Sequence, residues 1–279
     1  WFRRPLLPGT TGSRVKQLLG QHGLHTVCEG AKCPNRAACW HDAAAAFLIL
    51  GDTCTRDCGF CAIPHGAVLP PPDPGEPQRL AEAAAGMGLR YVVVTSVTRD
   101  DLPDGGAAHF AATIHALRAR IPGVEVEVLI PDLQGDTAAL DTVLAAQPDI
   151  LNHNLETVAR LQPTVRPQAD YARSLGVLRH AAQAGARVKS GLMLGMGETR
   201  EELMAALHDL RAAGVTLLTL GQYLAPSAAH HPVARFVPPE EFAALHEQAL
   251  ALGFVAVAAG PQVRSSYHAG ELVARGKVS

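Results

Sequence analysis

The chain has 279 residues, of which 48% are hydrophobic and 18% charged, with a formal net charge of −2 and a pI near 6.7. That composition can build a sizeable core and excludes a disordered chain. No cluster of Lys or Arg marks a nucleic-acid face, and no apolar stretch approaches the ~18 residues of a membrane span.

The chain opens at Trp1, and Arg3 and Arg4 are followed by Pro5, Pro8 and Gly9 rather than by the apolar core of a secretory signal. The expected compartment is the cytoplasm, with neither nucleic acid nor membrane as partner. A Gly- and Pro-containing segment then leads into alternating β-branched runs and Ala/Leu-rich stretches. Strands are expected at Phe47–Gly51, Tyr91–Ser96, Glu125–Ile130, Ile150–His153, Val188–Leu194 and Leu217–Tyr223. Between them, helices are expected at Gln78–Met87, Gly106–Arg120, Thr137–Ala146, Tyr171–Ala184 and Arg200–Ala213. Gly185 and Gly214 suit helix exits, where a left-handed residue closes the last turn. The run Phe254–Gly260 is one more strand or an edge piece, and Leu69–Pro74 is a stiff connection.

Near-continuous apolar strands alternating with helices specify a parallel sheet covered by helices. The expected fold is α/β, a partial (β/α)6 TIM-type barrel with N- and C-terminal extensions covering the open mouth. In one integrated domain, residues 1–45 form the first extension, 46–253 the barrel and 254–279 the second extension. Polar residues collect where strands end: Cys54; Ser96 with Arg99, Asp100 and Asp101; Asn152, Asn154 and Glu156; Gly195 to Glu198; Gln222 and Tyr223. Barrel sites form at the C-terminal strand ends, so these read as one mouth.

All 6 cysteines lie between Cys28 and Cys61, in two sets of three. One is Cys28-x4-Cys33-x5-Cys39; the other, directly after the first strand, is Cys54-x3-Cys58-x2-Cys61. Structural zinc sites take four ligands, commonly as two Cys-x2-Cys pairs. Closely spaced thiolates on loops suit iron–sulfur cubanes, and three leave one iron open to another ligand. A non-catalytic module holding two zincs stays open at this point. The adjacent His230 and His231, on a Pro-flanked loop, read as exposed or hydrogen-bonded rather than as metal ligands.

The second triplet, with the aromatic Phe60 ahead of its last cysteine, resembles the signature of the radical S-adenosylmethionine superfamily. The resemblance implies that Cys54, Cys58 and Cys61 hold a 4Fe-4S cluster whose open iron chelates S-adenosylmethionine. It also implies that Phe60, Asn154, Glu156, Lys189 and Gly195 bind that cofactor. Gly195 belongs to the Gly191-x-Met193-x-Gly195-x-Gly197-Glu198 stretch, which resembles the superfamily's strand beside the adenine. The first triplet, continued as Cys33-Pro34-Asn35 and Cys39-Trp40, resembles the lipoyl synthase family within that superfamily. So do Arg99-Asp100-Asp101-Leu102-Pro103-Asp104-Gly105-Gly106, His153-Asn154-Leu155-Glu156-Thr157, Gln222-Tyr223-Leu224-x-Pro226-Ser227 and Arg264-Ser265-Ser266-Tyr267.

By that resemblance, Cys28, Cys33, Cys39 and Ser266 hold an auxiliary 4Fe-4S cluster, with Ser265 the other choice for its fourth ligand. Arg264 and Tyr267 position that cluster or the acyl chain. The implied activity is that of a sulfurtransferase. A 5′-deoxyadenosyl radical abstracts hydrogen from the octanoyl chain of octanoyl-lysine, and the auxiliary cluster donates two sulfur atoms. The implied partners are octanoylated lipoyl-carrier protein domains, an electron-donor protein and iron–sulfur assembly or carrier proteins. Another radical enzyme with an auxiliary cluster is the nearest alternative.

Overall fold

A computed structural model describes residues 10–41 and 45–276. The opening Trp1–Gly9 stretch, residues 42–44 and the last residues of the second extension lie outside the described residues. The chain divides into two compact units, the first mainly residues 1–55, 62–133 and 138–149, the second 56–61, 134–137 and 150–279.

The first unit begins with helix α1 (Thr10–Gln21), strand β1 (His25–Thr26) and the short helices α2 (Val27–Gly30) and α3 (Arg36–His41). Strands β2 (Ala46–Ile49), β3 (Tyr91–Ser96) and β4 (Glu125–Leu129) follow, with helices α4 (Glu76–Gly86), α5 (Ala107–Arg120) and α6 (Thr137–Ala145). β2, β3 and β4 are parallel, in the registers Ala46↔Val93 and Tyr91↔Glu125. Phe47, Ile49, Val92, Val94, Val126 and Val128 are fully buried, as expected for strands covered on both faces. β1, which no sequence pattern marks, pairs antiparallel to β2 through His25↔Leu48 and Thr26↔Phe47.

The second unit carries β5 (Ile150–Asn152), β6 (Val188–Leu194), β7 (Leu217–Gln222) and β8 (Ala256–Gly260), all parallel. Helices α7 (Gln162–Val165), α8 (Tyr171–Gln183), α9 (Arg200–Ala212), α10 (Pro239–Ala251) and α11 (Ala269–Arg275) complete it. Asp170 caps α8 by accepting from the Arg173 N–H at 2.7 Å. Thr199 and Glu202 form a reciprocal capping box on α9. Gly185 and Gly214 leave α8 and α9 with φ of 85° and 88°.

Strand order follows chain order from β1 to β8. All six expected strands are present, and the run Phe254–Gly260 supplies β8, a full parallel partner of β7. The class is therefore α/β, with parallel strands and helices in alternation.

Candidate functional site

In the first unit the chain leaves β2 through Leu50 and Gly51, both with positive φ, 68° and 98°. A β-branched or bulky residue in that region is strained, so something must hold Leu50 there. Its N–H donates to the Glu76 carboxylate at 2.9 Å, and the His109 ring nitrogen lies 2.7 Å from the same oxygen. Its carbonyl accepts from Arg99 at 3.3 Å. Arg99 is 2% exposed and also binds Asp101 through two 2.8 Å contacts and the Pro70 carbonyl at 3.0 Å. The Arg-Asp-Asp motif thus anchors the turn into the cysteine loop, and the guanidinium beside Asp101 holds that carboxyl below its ordinary value.

Four residues later the Cys54 N–H donates to the Pro64 carbonyl at 2.8 Å, and the Gly66 N–H donates to Cys54 O at 2.9 Å. The Cys54 sulfur accepts the Thr98 N–H at 3.3 Å. In the first triplet Cys28 lies on α2 and Cys39 on α3, with Cys33 in the turn between them. Thr26 caps α2 through the Glu29 N–H, and the Cys33 N–H donates to Cys28 O at 3.1 Å. Cys39 sits on α3, its N–H donating to Asn35 O at 3.0 Å. Cys28 is buried, which pushes its thiol up from the ordinary value.

In the second unit, Cys58 to Cys61 close a turn in which the Cys61 N–H donates to Cys58 O at 2.9 Å, with Phe60 half-buried inside it. The Gly59 N–H reaches the Val165 carbonyl at 2.8 Å, and the His231 N–H donates to Gly59 O at 2.7 Å. The His230 ring nitrogen Nε2 lies 3.1 Å from Cys61 O. The two histidines, expected to be exposed or hydrogen-bonded, are hydrogen-bonded, though nothing local in the sequence shows which carbonyls they face.

Asn154, Glu156 and Lys189, expected together, are brought together, and Ser265 joins them. Buried Lys189 donates from Nζ to the Ser265 carbonyl at 2.6 Å. The Ser265 hydroxyl donates to Asn154 Oδ1 at 2.8 Å, and Asn154 Nδ2 donates to Glu156 Oε1 at 3.1 Å. Arg166, absent from the sequence reading, donates to the carbonyls of Asn154 and Leu155 at 3.2 Å each. Burial pushes the Glu156 carboxyl up, the Arg166 charge and the Asn154 amide opposing it. Ser266 is half-buried, and Tyr267 beside it meets His268 edge to face at 4.2 Å.

Gly191 in β6 and Gly195 just past its end let neighbouring groups approach closely. A Cβ on Gly191 would press on Thr219, Asn154 and Ser265. Gly195, at φ 91°, has no room for a side chain, because Arg235 O and the Gln222 amide fill that space. Its N–H and that of Met196 both donate to the Glu198 carboxylate, at 2.7 and 2.9 Å. Gln222 in turn donates to Leu194 O, Tyr223 O and Arg235 O and accepts from Val237 N, fixing the end of β7.

Among the described residues, no three His, Cys, Asp or Glu side chains stand grouped to hold a metal ion. The donor set nevertheless fits iron–sulfur chemistry. None of the six cysteines is in a disulfide, and Cys54 already receives the kind of N–H···S bond that stabilises a cluster thiolate.

Residues 48–210 match the model of the radical SAM superfamily. Among solved structures, the chain is similar to HydG, a maturase of the [FeFe]-hydrogenase, at TM-score 0.59 and 16% identity over 74% of this chain and 49% of that one. It is likewise similar to Streptococcus suis SuiB bound to S-adenosylmethionine, at TM-score 0.57 and 10% identity over 77% of this chain and 50% of that one. It thus spans about half of each of these proteins, and at such identities the likeness speaks for the fold, the partial barrel of radical SAM enzymes. Parallel strands in chain order, with Cys-x3-Cys-x2-Cys directly after β2, define a protein of that class.

Curated relatives narrow it further. The chain is 55% identical to the lipoyl synthase of Chlorobium chlorochromatii over 96% of its own length and 92% of the relative's. It is also 55% identical to that of Thermus thermophilus over 96% and 84%. The chain belongs to the lipoyl synthase family.

Proposed function

We propose that this chain inserts two sulfur atoms into the octanoyl chain of octanoyl-lysine on a lipoyl-carrier protein domain. The observation that carries the reading is near-full-length identity to lipoyl synthases in a chain that bears both cysteine triplets and the Arg264–Tyr267 element. The expected ligands of the radical-generating cluster are Cys54, Cys58 and Cys61. Those of the auxiliary cluster are Cys28, Cys33, Cys39 and Ser266. Ser266 is favoured over Ser265 because the Ser265 hydroxyl is committed to Asn154.

When bound, the first cluster supplies an electron that cleaves S-adenosylmethionine to a 5′-deoxyadenosyl radical, and the second supplies sulfur. Two unactivated C–H bonds demand such chemistry, since a side-chain base works near neutral pH and cannot deprotonate them. The protein's own work is positioning. Cys54 is held through its amide, carbonyl and sulfur, and Cys61 through its amide and carbonyl. Asn154, Glu156 and Lys189 are the polar groups proposed for S-adenosylmethionine, with Phe60 and Gly195 beside its adenine. A sheltered strand-end site protects a carbon radical from water.

No helix among the described residues is long and apolar enough to cross a membrane. A cytoplasmic setting fits this chemistry, because free thiols need reducing surroundings. An electron-donor protein and iron–sulfur carriers complete the proposed partners.

The test is anaerobic turnover of reconstituted protein with an octanoyl-lysine peptide, read by mass spectrometry. Wild type is expected to release 5′-deoxyadenosine and add sulfur. Cys58→Ala should abolish S-adenosylmethionine cleavage, whereas Cys33→Ala should retain cleavage and lose sulfur transfer. Thiolated product from both variants would sink the proposed division of labour.

A further inference from the structure

The Cys58–Cys61 turn is held by residues more than a hundred positions away in sequence. Three of its backbone groups engage partners outside the turn, all within the second unit. The Gly59 N–H takes the carbonyl of Val165, the last residue of α7, while Gly59 O takes the His231 N–H. Cys61 O faces His230 Nε2 at 3.1 Å. The two histidines are adjacent, so one short loop grips the turn at two points.

The protonation pattern follows from the partners. A carbonyl oxygen can only accept, so Nε2 of His230 must carry a hydrogen. The other ring nitrogen, Nδ1, lies 2.8 Å from the Ser227 hydroxyl, which can donate or accept. Ser227 is itself seated by the turn, its carbonyl accepting the His230 N–H at 3.2 Å and its Oγ accepting the Ala229 N–H at 3.3 Å. Ser227 therefore holds the far side of the His230 ring in place while Nε2 faces Cys61 O.

His231 ties the same loop to the strand ends. Its ring Nε2 lies 2.9 Å from Met196 O, so by the same reasoning it donates there. Its carbonyl accepts the hydroxyl of Tyr223, a residue 1% exposed, at 2.6 Å. Pro226 and Pro232 flank the loop and restrict its backbone. The clamp thus rests on buried residues at the ends of β6 and β7.

We infer that His230, its ring held by Ser227, is a positioning residue for the radical-generating cluster, fixing the peptide of Cys61 and through it the direction of the Cys61 thiolate. This deepens the proposed function and rests on Cys61 being a cluster ligand. His230 touches neither iron nor S-adenosylmethionine in this role. Partners one shell out from metal ligands commonly matter roughly 10- to 100-fold for affinity or activity. Hydrogen bonds and the orientation of nearby dipoles also tune cluster potential.

The experiment compares reconstituted wild type, His230→Ala, His230→Gln and Ser227→Ala. Three quantities are read: amide exchange of a peptide spanning residues 56–62, the electron paramagnetic resonance of the reduced cluster with S-adenosylmethionine, and the rate of cleavage. His230→Ala is expected to keep its iron and sulfide but exchange that peptide several-fold faster. Its spectrum should shift, and cleavage should fall roughly tenfold. His230→Gln, which retains an N–H donor, should recover most of the loss, and Ser227→Ala should show a smaller change in the same direction.

Wild-type exchange and an unchanged spectrum in His230→Ala would overturn the inference. So would a Gln variant no better than Ala. If His230→Ala does not fold, Ser227→Ala decides, and a wild-type spectrum and exchange there would again overturn it. A wild-type protein that cleaves no S-adenosylmethionine would sink the proposed function, while the exchange measurement would still report whether the clamp exists.

Discussion

Glu156 combines two unfavourable circumstances in one residue. Its φ of 68° is a region that favours glycine, and its carboxyl is pushed up by burial, with the Asn154 amide as an opposing donor. Strain of this kind survives where surrounding structure enforces it, here by parallel bridging of Glu156 to Leu192 of β6. A raised carboxyl holds its proton more readily in the folded state than in the unfolded one. Stability attributable to Glu156 therefore falls as pH rises from its ordinary 4.5 through the raised value, and does not return above it. Glu156→Gln is expected to remove that slope and to stabilise the protein by about 1 kcal/mol at pH 8. It should also weaken S-adenosylmethionine binding. Thermal unfolding at pH 5 and pH 8 checks the first part, and a variant as pH-dependent as wild type would contradict it.

Helix starts show how far local chemistry reaches. The Thr199 hydroxyl accepts the Glu202 N–H at 3.3 Å, and the Glu202 carboxylate accepts the Thr199 N–H at 2.9 Å. Arg160 closes on the same carboxylate at 2.6 Å and holds it down to about 2. Thr199→Ala should cost about 1 kcal/mol in chemical denaturation. A loss below about 0.3 kcal/mol would mean that Arg160 alone holds the helix start. The strands and helices of the barrel were legible because apolar runs of strand length alternate with Ala/Leu-rich helical stretches. β1 was not, because its two residues are extended only by pairing with β2. β8 was ambiguous because Ala256, Ala258 and Ala259 carry little β preference, and β7 supplies the ladder that makes them a strand. The cysteine spacings and the Arg264–Tyr267 element marked the expected ligands. The anchoring of those ligands was hidden, since Arg99, Glu76 and the two histidines act on backbone carbonyls and amides, which look alike in every sequence.

For the molecule as a whole, the clusters are expected to contribute to stability as bound ligands do, through preference for the folded state. Cys28 makes the point sharply, because a buried thiol that ionises only with difficulty gains most from a metal that replaces its proton. Anaerobic removal of iron with a chelator should bleach the brown colour and lower the thermal midpoint by roughly 5 °C. An unchanged midpoint with iron fully removed would show that the chain's own packing suffices.

The separation of 169 residues between Cys61 and His230 also sets a clock. A ribosome adding about 5–20 residues each second delivers His230 roughly ten to thirty seconds after Cys61. Throughout that interval the nascent thiols of the turn are synthesised but unclamped. The gripping loop arrives only after β7 is made, so the hydrogen bonds that hold the turn can form only then. If Cys54, Cys58 and Cys61 hold a cluster as proposed, loading them in the clamped geometry is expected to require the chain through His231.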